Sequence, residues 1–348
     1  MKKMYWILLL IGKVTLAQDN ESTHLKNIRQ LTFGGDNAEA YFSFNGKFLC
    51  CQITNPKWNV PCDQIFDIEI KKAENNPNYR PTLISTGKGR TTCSYYLKDN
   101  RHILYASTHQ SSRECPPPPP QREDKKYLWS IYPEYDIFIA NKKGKIVKQL
   151  THSPGYDAEA TVSPDGKKIV FTSTRHGDLD LYIMDIDGKN VRQITFDLGY
   201  DGGAFFSPDG KRLVFRASRP KTEQEVKEYK ELLAHHLVAP TQMEIFTCNV
   251  DGSDMKQITH LGKANWAPFF HPSGKKIIFS SNHHSTRGYD FQLYLINDDG
   301  TGLEKITTES VFNAFPMFSP DGKKLVWSSN RNNGGTRDTN LFIADWVD

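Results

Sequence analysis

The chain has 348 residues and a formal charge of +4, enough for one large all-β domain or two ordinary ones. Its basic residues are scattered, and leaving out residues 1–17 removes Lys2, Lys3 and Lys13 and brings the charge to +1. A nearly neutral chain without a basic patch gives no electrostatic case for a nucleic-acid partner.

The first element in the chain is an address. Lys2 and Lys3 precede the apolar run Trp6–Ile11, and Thr15-Leu16-Ala17 has the small residues of a cleavage site. Residues 1–17 therefore read as a secretory signal peptide. The run is too short to span a bilayer as a helix. No cysteine follows it as a lipid-anchoring site would require, so a periplasmic or secreted chain with no transmembrane segment is expected.

The remainder, 18–348, is one repeating unit. Ser163-Pro164-Asp165-Gly166 recurs at Ser207–Gly210 and Ser319–Gly322, with variants at Ser43–Gly46 and His271–Gly274 and a worn copy at Lys98–Arg101. Taking the third unit in order, Ala158–Val162 alternates as a strand, and Pro164 and Gly166 make the turn that follows. Lys168–Ser173 is a second strand and Asp180–Met184 a third. Asp185–Gly188 turns the chain again, and Val191–Thr195 is a fourth. Four antiparallel strands in about forty residues is the size of a propeller blade, and the chain holds six.

The ends are out of step with the blades. The chain stops after the sixth third-strand, Asn340–Trp346, whereas a spare fourth-strand motif, Arg29-Gln30-Leu31-Thr32, precedes the first blade. The predicted architecture is an all-β six-bladed propeller, its ring closed by the N-terminal strand completing the last blade. The Ser-Pro-Asp-Gly corners, the Asp-Gly turns and the fourth-strand endings such as Gln193-Ile194-Thr195 resemble the propeller repeats of the TolB family. The resemblance spans the mature chain and covers the propeller only, without the N-terminal α/β domain of TolB.

Three insertions are expected on one face, between second and third strands: 55–62, 109–134 with the stiff run Pro116–Pro120, and 220–242. The last holds a helix near 222–238. Thr222 and Glu225 form its capping box, and Val226, Tyr229, Leu233 and Leu237 its apolar stripe. Function is sought on that decorated face. Of the six cysteines, Cys62 and Cys115 are the first choice for a disulfide, since export permits one.

Candidate site residues lie where loops between blades enter the innermost strands: Tyr156, Asp157, Glu159, Tyr200, Asp201, Asn265, Trp266 and Asn313. Arg175, Arg219 and Arg331 end second strands. Arg175 is placed to reach Asp180, and Arg219 to reach Glu244, as a pin repeated in each blade. Asp157 and Glu159, with His283 or His109, could hold a divalent metal. The aromatic side chains Trp58, Trp129, Tyr156, Tyr200 and Trp266 near the decorated face suit stacking on sugars or peptides. The leading reading is a monomeric scaffold binding a peptide, protein or glycan at the channel mouth. The rival is a metal-dependent lyase or hydrolase acting on an acidic polysaccharide in the channel, which resemblance to propeller lyases would imply. A third is an accessory propeller of an exported peptidase.

Overall fold

The computed structural model describes residues 20–124 and 126–348, so the segment read as a signal peptide lies outside the described residues. Six four-stranded antiparallel sheets form the blades. Their innermost strands are Asp36–Phe42, Thr91–Tyr96, Asp157–Val162, Asp201–Phe206, Asn265–Phe270 and Asn313–Phe318. The ring closes as the sequence requires. Leu25–Gln30 pairs with Asn340–Trp346, placing Leu25 opposite Trp346 and Gln30 opposite Phe342.

The repeated corner has a local cause. Ser163 Oγ donates to Asp165 at 2.6 Å and accepts from the Lys168 amide at 2.9 Å, while Gly166 takes a φ of 78°. Ser207 and Ser319 do the same in their blades. Each serine thus satisfies backbone that the turn would leave bare. The core fills the blade interfaces, with Phe42, Tyr96, Phe138, Phe171, Phe215, Phe279 and Trp327 almost fully buried.

A pin does repeat in every blade, with a different partner from the one expected. In every blade one polar third-strand residue accepts a hydrogen bond from a hydroxyl just beyond the fourth strand. Thr151 donates to Asp136, Thr195 to Asp180, Thr259 to Glu244, Thr307 to Gln292, Ser85 to Gln64 and Thr32 to Asn340. The same hydroxyls accept the next backbone N–H, as Thr195 does from Leu181. Arg175 and Arg219 turn instead toward the innermost strand: Arg175 reaches Asp157 at 2.8 Å, and Arg219 reaches Asp201 at 2.5 Å. A short hydroxyl is already seated on each third-strand carboxylate, so the longer guanidinium goes the other way.

The insertions also differ in detail. Segment 55–62 is a lengthened hairpin: Asn55 still pairs with Val60 across the single turn Pro56–Trp58. A further excursion, between the third and fourth strands of blade 1, carries the helix Ile70–Asn75. The inserted helix of blade 4 runs Glu223–Ala234 with both halves of its capping box formed. Leu237, expected on its apolar stripe, belongs instead to a strand, Leu237–Val238, paired with Trp129–Ser130 of the blade 2 insertion. Cys62 and Cys115 are joined in a disulfide.

Candidate functional site

Going down the innermost strands from the decorated face, the first ring of side chains is polar and each is hydrogen-bonded, although Asn37 Oδ1 and Asp201 Oδ2 are buried without a partner among the described residues. Asp157 pairs with Arg175, whose Nε donates to Ser173 at 2.9 Å. Asn265 accepts from Ser281, and Ser281 is hydrogen-bonded to His283. Arg331 donates to Asn313 and to Glu21. Arg175 also lies over Phe171 and Tyr182, Arg219 over Phe246, and Arg331 over Trp327 and Phe342. Each candidate arginine therefore ties an innermost strand to the aromatic residues of its own blade. Burial pushes the Asp201 carboxyl up to about 7, against the pull of Arg219.

The four metal candidates are not brought together. Asp157 and Glu159 are both taken up by arginines. His109 packs on Phe138 at 4.5 Å in blade 2, and His283 on Tyr294 at 4.6 Å in blade 5. Burial, ahead of nearby lysines, lowers the pKa of both histidines. Among the described residues no group of three or more His, Cys, Asp or Glu side chains is placed to share an ion.

Two residues further down, all six innermost strands carry a bulge whose residue adopts a left-handed conformation. These are Glu39, Cys93, Glu159, Gly203, Ala267 and Phe315, with φ of 52°, 43°, 57°, 59°, 49° and 56°. Register shifts mark the bulge in each blade. A non-glycine residue held there costs on the order of 1–3 kcal/mol. The turned amide is met by a side chain of the preceding blade in three cases: Gln52 for Cys93, Glu159 for Gly203 and Ser280 for Phe315.

This second ring lines the channel, and its contents differ from blade to blade. Glu159 is buried among Arg216, the Tyr200 hydroxyl at 2.6 Å, the Thr172 hydroxyl at 2.7 Å and the Gly203 amide at 2.8 Å. Burial alone would raise its pKa, but Arg216 and the hydroxyls outweigh it and hold the carboxyl below its usual value. The two glycines make room for this cluster. A Cβ on Gly203 would fall 1.9 Å from Arg216 Nη1, and one on Gly202 2.4 Å from Glu159. Glu39 accepts a long bond from Tyr41, at 3.4 Å, and has the Cys93 thiol beside it as a weak second donor. Burial, with the added charge of Glu159, pushes it up to about 7.

Aromatic side chains crowd the channel at both levels. Below the bulges, Tyr41 of blade 1 meets Phe205 of blade 4 across the axis, with ring centroids 5.3 Å apart, and Phe269 packs on Phe205 at 5.2 Å. Above, Trp129 from the blade 2 insertion lies 5.2 Å from the Arg216 guanidinium and 5.0 Å from Trp266. Trp266 stacks on Phe291 and donates to the Pro240 carbonyl. Tyr156, Tyr200 and Trp266, expected as an open stacking platform, are thus buried beneath the insertions. Trp58 sits apart, under Arg80 and against Phe66.

The open concavity of the decorated face lies beside this roof. A groove of about 1090 Å³ runs between Pro116–Pro120 and the inserted helix, with Leu128, Tyr132, Leu232 and Leu237 in its walls. The Tyr132 hydroxyl holds the Pro117 carbonyl at 2.7 Å, and the disulfide anchors Cys115 to blade 1. Because Pro116–Pro119 each precede a proline, sterics keep them extended.

Cys93 and Arg216 were not apparent as site residues from the sequence. The tandem Gly202-Gly203 inside a strand was the available signal, since glycine there marks a bulge or a close approach.

Residues 130–232 match a family model described as the TolB beta propeller domain. Among solved structures, a putative TolB from Agrobacterium tumefaciens is similar at a TM-score of 0.60 and 20% identity, over 92% of this chain and 97% of the other. TolB from Acinetobacter baumannii gives 0.53 at 18% identity, over 90% of this chain and 64% of the other. An oligogalacturonate lyase from Vibrio parahaemolyticus gives 0.54 at 11% identity, over 91% and 79%. No curated protein matches. At these identities the likeness is one of fold.

Proposed function

We infer that this chain, a TolB-type β-propeller, is an exported binding module that holds an extended segment of a protein partner in the groove between its two insertions. The groove carries the reading. Two insertions from blades 2 and 4 are tied to each other by strand pairing, and one is tied to blade 1 by a disulfide. Their walls set proline, leucine and tyrosine beside polar residues such as Glu114, Arg122 and Glu134, which suits an extended segment with apolar side chains and a polar backbone. Rigid walls lower the ordering cost of binding. The run Trp6–Ile11 behind Lys2 and Lys3 supports export, as does a disulfide, which persists in oxidising compartments. No helix among the described residues is long and apolar enough to cross a membrane.

A random linear-peptide library panned on the protein tests this, with Leu232→Asp and Tyr132→Ala as counter-selection. Binders lost in both variants are expected. Binders that ignore these changes, or that map to the Ser-Pro-Asp-Gly face, would overturn the reading.

A further inference from the structure

The channel holds a set of groups that its own structure leaves incomplete. Arg216 is 7% exposed. Its Nη2 serves Glu159 and Tyr200, yet its buried Nε has no partner among the described residues. Its Nη1 fills the space left by the missing Gly203 side chain. Nε is sealed inside the protein, whereas Nη1 makes no hydrogen bond to the described residues and is not sealed, so Nη1 is the donor that a ligand oxygen can meet.

Glu39 presents the opposite need. Glu159 is surrounded by donors, whereas Glu39 has one long bond from Tyr41 and a neighbouring thiol, Cys93. It remains in partial contact with the lumen, as do Cys93, Gly203, Ala267 and Phe315. Glu39 belongs to blade 1 and Arg216 to blade 4, on opposite sides of the axis. They feel each other's charge, but no ion pair joins them. Blades 5 and 6 contribute only Ala267 and Phe315 at this level. The lumen is therefore acidic on one side, guanidinium-bearing on the facing side, and apolar on the flank between them.

We propose that this chamber binds a small zwitterion of the α-amino-acid type, its ammonium group at Glu39, its carboxylate at Arg216 and its side chain against Ala267 and Phe315. Each end of such a ligand supplies the group its wall lacks. A simple amine would leave the Arg216 donors empty, and a simple acid would leave Glu39 bare. The Trp129 and Trp266 rings beside Arg216 lower the local dielectric, which strengthens both contacts. The charged and titratable groups facing Glu39 are Cys93, Glu159, Arg216 and Asp63, with Tyr41 as hydrogen-bond donor. Protonating Glu39 would remove the partner of the ammonium group, so binding should weaken as pH falls through neutrality.

Calorimetric titration of the intact protein at pH 8 with glycine, L-alanine and L-leucine tests this, alongside isoamylamine and 4-methylpentanoate, which each keep one end of leucine. At least one amino acid is expected to bind, neither half-ligand should, and affinity should drop at pH 5.5. Glu39→Gln should weaken binding by at least about tenfold, or about 1.4 kcal/mol, while the protein stays folded. The bound amino acid should also slow modification of Cys93 by methyl methanethiosulfonate. No heat and no Cys93 protection with any of the three overturns the proposal. So does equal binding of a half-ligand, or an unchanged affinity in Glu39→Gln.

Discussion

Two rings of side chains sit one above the other on the same six strands, and they obey opposite rules. In the upper ring Asn37, Thr91, Asp157, Asp201, Asn265 and Asn313 are all short polar side chains, bonded within their own blade or to the one before it. In the lower ring the backbone repeats in all six blades while the side chain changes from carboxylate to thiol, glycine, methyl and phenyl. Where both backbone and side chain repeat, the residue maintains the blade. Where only the backbone repeats, the side chain is free to specialise.

Substitutions can break or sharpen this contrast. The largest effect is expected from Glu159→Ala, which strands Arg216 as an uncompensated buried charge. A loss of about 3–5 kcal/mol should appear in chemical denaturation. Thr195→Val removes one pin and leaves the Asp180 carboxyl and the Leu181 amide short of a partner, at about 1–3 kcal/mol. Equivalent losses from Thr259→Val and Thr307→Val would mark the pins as interchangeable, whereas one blade standing out would blur the division between the rings.

Glu39→Gln should act in the other direction. The folded protein holds the Glu39 proton more tightly than the unfolded chain does, with a pKa near 7 against an ordinary 4.5. Its stability contribution is then undiminished below pH 4.5, falls as pH rises to 7, and stays low above that. The variant should gain about 2–3 kcal/mol at pH 8 and nothing near pH 4, as read from melting curves at both pH values. Cys93→Ser is expected to change stability by about 0.5 kcal/mol or less, because its side chain borders open lumen. A large loss there would show that the lower ring is as structural as the upper.

The fold was legible because its signals are local. Ser163-Pro164-Asp165-Gly166 states a turn within four residues, and the displaced motif Arg29–Thr32 states the closure. The site was less legible because its meaning lies between blades. Asp157 and Arg175 were both noticed, but spacing along one strand could not reveal that Thr195 and its counterparts had already claimed the third-strand carboxylates. Tyr200 and Trp266 looked like an exposed platform, since nothing in their own segments announces that Trp129, far off in sequence, roofs them over. Arg216 reads as an ordinary strand residue until Gly203 is seen to make space for it.

The pairing of Leu25–Gln30 with Asn340–Trp346 carries a consequence for synthesis. The earliest-made strand of the ring waits for the last-made one, so the sixth blade cannot be finished until Asn340–Trp346 has emerged. Until then both edges of the open ring are available to other chains. A chaperone that shields those two edges until both closing strands are available would serve this topology better than blade-by-blade folding.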